Sequence, residues 1–93
     1  MEKYRPLTKL GFLSTVGKPN IDTLDVTDQV DVERINIQVD LPPGVNVYAQ
    51  RFQVDTKYGR ALASEGDFVI YQHGQLLATA TREIFQKFFT KAI

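Results

Sequence analysis

The sequence contains no cysteine. That excludes disulfides, thiolate metal sites and a cysteine nucleophile, and it fits a reducing cytoplasm. There is a single histidine, His73. No apolar run approaches the ~20 residues needed to span a bilayer. The start "MEKYRPLTKL" lacks the apolar stretch of a secretory signal. These absences together predict a cytoplasmic protein with no membrane partner. Net charge is also missing: 11 basic residues balance 11 acidic ones. A general nucleic-acid binder carries a basic excess, because its affinity comes largely from counterion release. Walker, dinucleotide-binding, zincin and nucleophile-elbow motifs are absent as well.

What is present suits a folded chain. Ninety-three residues with 43% hydrophobic content predict one domain, residues 1–93, with a single modest core. Residues 3–16 read as extended, since Pro6, Gly11 and the β-formers Phe12, Thr15 and Val16 outweigh a short leucine stripe. Gly17, Pro19 and Asn20 mark a turn. Residues 21–33 are acidic, with Asp22, Asp25, Asp28, Asp31 and Glu33 against no base. They read as a solvated connector with apolar anchors Ile21, Leu24, Val26 and Val30. A weak cation site is the alternative, although the spacing does not match a calcium loop.

The clearest local signal is "RINIQVDL", residues 34–41. Ile35, Ile37, Val39 and Leu41 alternate with polar residues, which predicts a strand with one buried face. "PPG" then stops it, with Gly44 taking the positive φ of a type II turn after Pro43. In "VNVYAQRFQVD" the apolar parity switches between Val45/Val47 and Phe52/Val54, which predicts a bulge or bend near Ala49 to Arg51. Gly59 turns the chain next. "RALA" is a short extended piece, and "SEGD" is a second turn.

"DFVIYQHGQLLATA" reads as a hairpin, with His73 and Gly74 as its two central turn residues. A two-residue loop pairs Gln72 with Gln75, Tyr71 with Leu76, Ile70 with Leu77 and Val69 with Ala78. One face then carries Val69, Tyr71, Leu76, Ala78 and Ala80, and the other Phe68, Ile70 and Leu77. The end, "TREIFQKFFTKAI", reads as a helix capped by Thr81, with an apolar stripe of Ile84, Phe85, Phe88 and Phe89. Ala78 and Ala80 offer the Phe rings a shallow landing place. The fold class expected is α+β: a small twisted antiparallel sheet of four to six strands with one C-terminal helix packed on one face.

Few residues suggest chemistry. His73 lies about 20 Å along its strand from Asp67, six residues at ~3.3 Å each, so the two cannot cooperate within the hairpin. Gly66 and Asp67 read as a structural turn, with Asp67 accepting backbone hydrogen bonds. Glu65 and Asp67 do not make a convincing carboxylate pair. The remaining cluster is basic and aromatic: Tyr48, Arg51, Lys57, Tyr58 and Arg60. Aromatics interleaved with cations can stack bases and hold phosphates, or they can simply solvate a sheet edge around a buried Phe52.

"YGRALASEGDFVIYQHGQLLATATREIFQKFF" resembles a small family of bacteriophage and prophage proteins. Gly66, Asp67 and Phe68 match that family's Gly-Asp-aromatic turn. Gly74 matches its hairpin glycine and Phe85 its later aromatic, and "KYRP" looks like its Tyr-Arg opening. Glu65 departs from the pattern, where proline is usual, and so does the "VERINIQVDL" segment. The likeness covers about the last third of the chain. It implies a phage-borne accessory protein from a family without a settled activity. By elimination, the expected function is a nonenzymatic protein that binds and modulates a host protein, an anti-defence inhibitor among the options. Neither cofactor nor metal is expected. The two-sided apolar hairpin also offers a homodimer surface. A nucleic-acid-binding module and a nucleotide-sequestering protein are the alternative readings.

Overall fold

A computed structural model describes residues 1–13 and 21–92. The turn expected at Gly17, Pro19 and Asn20, and the extended reading of 14–16, lie outside the described residues. The chain is mostly antiparallel β-sheet. Its strands are β1 (Glu2–Pro6), β2 (Leu10–Leu13), β3 (Ile21–Leu24), β4 (Val30–Arg34), β5 (Val45–Tyr48), β6 (Arg51–Thr56), β7 (Gly59–Ala63), β8 (Phe68–Gln72) and β9 (Gln75–Ala80). A seven-residue helix α1 (Arg82–Phe88) and a last strand β10 (Phe89–Lys91) follow. β10, β1, β4, β8 and β9 form a five-stranded sheet in that order. β5, β6 and β7 form a three-stranded sheet, and β2 pairs with β3.

The five-stranded sheet is the middle layer, because its strands contribute to two separate clusters. Val69, Tyr71 and Leu76 join Ile35 and the three-stranded sheet's Val45, Phe52, Val54 and Ala63. Val30, Val32, Ile70 and Leu77 join Leu24, Phe85 and Phe89 on the other side. Alternate residues of β8 thus face opposite layers, as period-two alternation requires.

The acidic segment is a correction to the expected connector. Its second half is β4, a central strand with β1 on one side and β8 on the other. Val30 and Val32 are buried, while Asp31 pairs with Lys3 across the ladder. The strand expected over 34–41 is the larger correction. Only Arg34 belongs to a strand; beyond it the chain turns. Ile35 is fully buried, but Ile37 and Val39 are 63% and 59% exposed. Asn36 redirects the backbone: its side-chain oxygen accepts from Gln38 N–H at 2.9 Å, and its carbonyl accepts from Val39 N–H at 3.3 Å. Such local bonds compete with a ladder. No neighbouring strand is there to win, because β8 begins opposite Arg34.

The parity switch in residues 45–55 comes from a hairpin rather than a bulge. Val45 faces Val54 and Val47 faces Phe52, across a two-residue turn of Ala49 and Gln50. Paired positions sum to an odd number, so odd residues of β5 share a face with even residues of β6. The other turns match the sequence. Gly59 and Gly66 have positive φ, and Val45 N–H donates to Pro42 O at 3.1 Å around Pro43-Gly44. His73 and Gly74 both have positive φ, the pattern of a type I′ hairpin.

That hairpin starts in the expected register, Gln72 with Gln75 and Tyr71 with Leu76. A bulge then makes Ile70 face Ala78 and Val69 face Thr79. The extra residue moves Ala78 and Ala80 onto the face of Phe68 and Ile70, against the cluster that holds Phe85. The alanines are therefore the landing place foreseen for the Phe rings, on the opposite face. Thr81 caps α1, its hydroxyl accepting from Ile84 N–H at 3.3 Å. The helix is shorter than the sequence suggests: Phe89 leaves it and pairs with Pro6 in the sheet.

Tyr71 bridges the layers. It is buried, and its hydroxyl donates to Pro43 O at 2.6 Å. Burial, with help from the charge of Glu33, pushes its pKa up to about 12. The unfolded chain would ionise Tyr71 near the ordinary value of about 10. Tyr71 therefore contributes stability that is fully present below pH 10 and is lost as pH rises through 12. Tyr71→Phe is expected to cost about 1 kcal/mol at neutral pH and to flatten this alkaline decline. Urea denaturation at stepped pH measures both.

Candidate binding surface

The five basic and aromatic residues singled out from the sequence all lie on the β5–β6–β7 sheet or its turns, but not together. Tyr48 and Arg51 are opposite one another at one end of β6. Lys57, Tyr58 and Arg60 gather around the turn at the other end, where Thr56 faces Gly59. Five residue steps at ~3.3 Å put about 16 Å between these ends.

The second group is occupied by the fold. Lys57 N–H donates to Leu76 O at 2.8 Å, tying the turn to β9. Tyr58 is half-buried and packs against the Phe85 cluster. The Lys57 ammonium lies 5.7 Å from the centre of the Tyr58 ring. Thr56 holds the turn through its hydroxyl, which donates to Gly59 O and accepts from Tyr58 N–H at 3.1 Å. The Arg60 guanidinium lies 3.5 Å from the Asp55 carboxylate.

Tyr48 and Arg51 stand differently. Asn46, Tyr48, Arg51, Gln53, Asp55, Arg60 and Leu62 share the outer face of the sheet, because Val45, Val47, Phe52, Val54 and Ala63 take the inner one. Tyr48 and Leu62 are exposed there. The Arg51 side chain has no hydrogen-bond or ion-pair partner among the described residues. Beside it runs a shallow groove of about 290 Å³, lined by Arg51, Leu62, Asp67, Thr79, Ala80 and Ile84. Ile84, the one stripe residue of α1 that points outward, supplies the far wall. Sequence reasoning missed Leu62 and Ile84. "RALA" gives no hint that its alanines go in and its leucine goes out; only pairing with β6 decides that.

Gly66 and Asp67 lie in the turn between β7 and β8, and His73 and Gly74 in the turn between β8 and β9. Asp67 Oδ2 accepts from Ser64 N–H at 2.9 Å, and Asp67 N–H donates to Ser64 O at 3.0 Å. Glu65 points elsewhere, its two carboxylate oxygens accepting from Ile37 N–H at 2.8 and 3.1 Å. Each carboxylate thus fixes a loop, and the two do not act as a pair. His73 is exposed at its turn. In the acidic segment, Asp28 Oδ2 accepts from Asp25 N–H at 2.8 Å and closes the turn before β4. No group of three or more potential metal-ligating side chains occurs among the described residues. No helix among them is long and apolar enough to cross a membrane.

Comparison with known proteins finds no matching family model, no matching curated protein and no matching solved structure.

Proposed function

We propose that the chain is a nonenzymatic accessory protein of phage type that binds and modulates a host protein in the host cytoplasm, with an anti-defence inhibitor as the most specific form of that role. The observation that carries the reading is the Tyr48–Arg51 end of the outer sheet face. An exposed tyrosine and an unpartnered arginine adjoin a groove walled by exposed Leu62 and Ile84. Tyrosine and arginine are the residue types that most often anchor protein interfaces, and apolar neighbours exclude water around them. The Gly66-Asp67-Phe68 turn that carries the phage resemblance sits beside this groove, through Asp67.

A nucleic-acid reading draws less support. Of its four basic and aromatic partners other than Tyr48, Arg60 faces Asp55, and Lys57 and Tyr58 pack on one another away from Arg51. A phosphate chain would find one free cation at this end of the face.

The test is capture from host lysate by immobilised wild-type protein beside the Tyr48→Ala/Arg51→Ala variant. The expected result is a host protein retained by the wild type and weakened at least about tenfold by the double change, with circular dichroism and melting unaltered. Retention that is identical for both proteins, or recovery of nucleic acid alone, would overturn the reading.

A further inference from the structure

We propose that β5 is a dimerisation edge, where Val45–Tyr48 pairs antiparallel with the same strand of a second copy about a two-fold axis through Asn46. Four strand edges bound the two larger sheets: β10, β9, β5 and β7. β10 is three residues long and carries Lys91, β7 carries Arg60, and β9 is tied to the Lys57 backbone. Short length, charge and coverage are the usual protections of a sheet edge. β5, "VNVY", is also short at four residues and its Val45 N–H is held by Pro42, but it carries no charge, and within the strand there is no proline or bulge.

The hydrogen-bond directions fit. Tyr48 and Arg51 close a two-residue hairpin, so even positions of β5 bond to β6 and odd ones face away. The bond from Asp55 N–H to Gly44 O, 2.9 Å, keeps that phase. Val47 N–H and C=O and Val45 C=O thus point outward with no partner among the described residues. The Val45 N–H is already held by Pro42. Val47 is 58% exposed although its side chain is on the core-facing side, because nothing lies beside it.

The strand is also complementary to itself. Val45-Asn46-Val47 reads the same in both directions. A two-fold axis at Asn46 sets each Val47 opposite the other copy's Val45, with Val47 N–H donating to that Val45 C=O twice over. It brings the two Asn46 amides together on the outer face, where each can donate to the other. The same register aligns Arg51 and Tyr48 of one copy with Gly44 and Asp55 of the other. Four paired residues cover well under the ~1,600 Å² of a standard interface, so the dimer is weak and depends on concentration. Its edge is distinct from the outer-face groove, and the proposal does not rest on a host partner.

Sedimentation equilibrium of the full chain, from micromolar to millimolar, tests it with two variants. Val47→Pro removes an outward N–H without breaking the bond pattern to β6. Val47→Lys places a charge on the edge and decides the matter should the proline variant fail to fold. A wild-type dimer at high concentration that is lost in the folded variants is the expected result. A wild type that stays monomeric throughout overturns the proposal, and so does a dimer that persists in the lysine variant.

Discussion

Phe85→Ala is expected to lower stability by about 3–5 kcal/mol, the largest effect of any single substitution argued for this chain. Phe85 is buried where four strands meet, β1, β8, β9 and β10. Its ring lies edge-on to Tyr4 of β1 at 4.7 Å between centres, stacks on Phe68 of β8 at 4.5 Å, and stacks on Phe89 of β10 at 5.3 Å. Ala78 and Ala80 complete the seat from β9. Removing the ring leaves a cavity that these neighbours cannot close together, since each is fixed by its own ladder. The helix suffers as well. Seven residues are too few to be stable alone in water, so α1 exists because Phe85 docks it. Small domains have only about 5–15 kcal/mol in total, and a substantial unfolded population is expected at 37 °C. Urea denaturation followed by circular dichroism measures the loss. Phe85→Leu keeps most of the buried area and gives up the ring pairs, so it should cost about half as much or less. Ile84→Ala, on the outward side of the same helix, should change stability by no more than about 0.5 kcal/mol. Equal losses at 84 and 85 would mean that the helix is seated on a different face.

The Phe85 site shows which parts of the fold a sequence displays. Turns that need glycine or proline were legible, because their backbone demands are met by few residues: Pro43-Gly44, Gly59, Gly66 and His73-Gly74 all turn where composition says they should. The Thr81 cap was legible for the same reason. Ala49-Gln50 was not, since neither residue announces a turn and Ala49 adopts its positive φ under the constraint of the strands it joins. The end of α1 was hidden because "FFTKAI" satisfies a helical stripe and a strand equally well, and the free edge of β1 takes Phe89. The bulge in β9 was hidden because nothing local requires it; it follows from seating Ala78 and Ala80 under an aromatic ring. At the candidate surface, Tyr48 and Arg51 were visible as residue types. Their separation from Lys57, Tyr58 and Arg60 required knowing that β6 runs straight between two turns. Leu62 and Ile84 entered through tertiary pairing alone.

Ile35→Ala is expected to cost about 2–5 kcal/mol, while Ile37→Ser and Val39→Ser should each stay within about 0.5 kcal/mol. The three residues occupy equivalent positions in the alternating run "RINIQVDL", and a strand with one buried face would make them similar. The structure separates them by what lies alongside. Ile35 is the last residue before the chain turns, and its backbone is still paired: its N–H donates to Asp67 O at 2.8 Å, and its carbonyl accepts from Gly66 N–H at 2.9 Å. This holds its side chain among Val45, Phe52, Val54, Val69 and Tyr71, between the two sheets. One residue later Asn36 begins its turn, and Ile37 is held only through its N–H, by the Glu65 carboxylate. The side chains of Ile37 and Val39 then project into solvent, so replacing them removes little buried area. Glu65 is the residue that keeps this loop in place, and it is where the phage-family pattern has a proline, which could not accept that bond. Chemical denaturation of the three variants distinguishes the cases directly. A loss above about 2 kcal/mol at Ile37 would restore the strand to residues 34–41 and remove the loop. A loss confined to Ile35 would place the end of β4 at the Gly66-Asp67 turn, where the ladder stops because β8 has not yet begun.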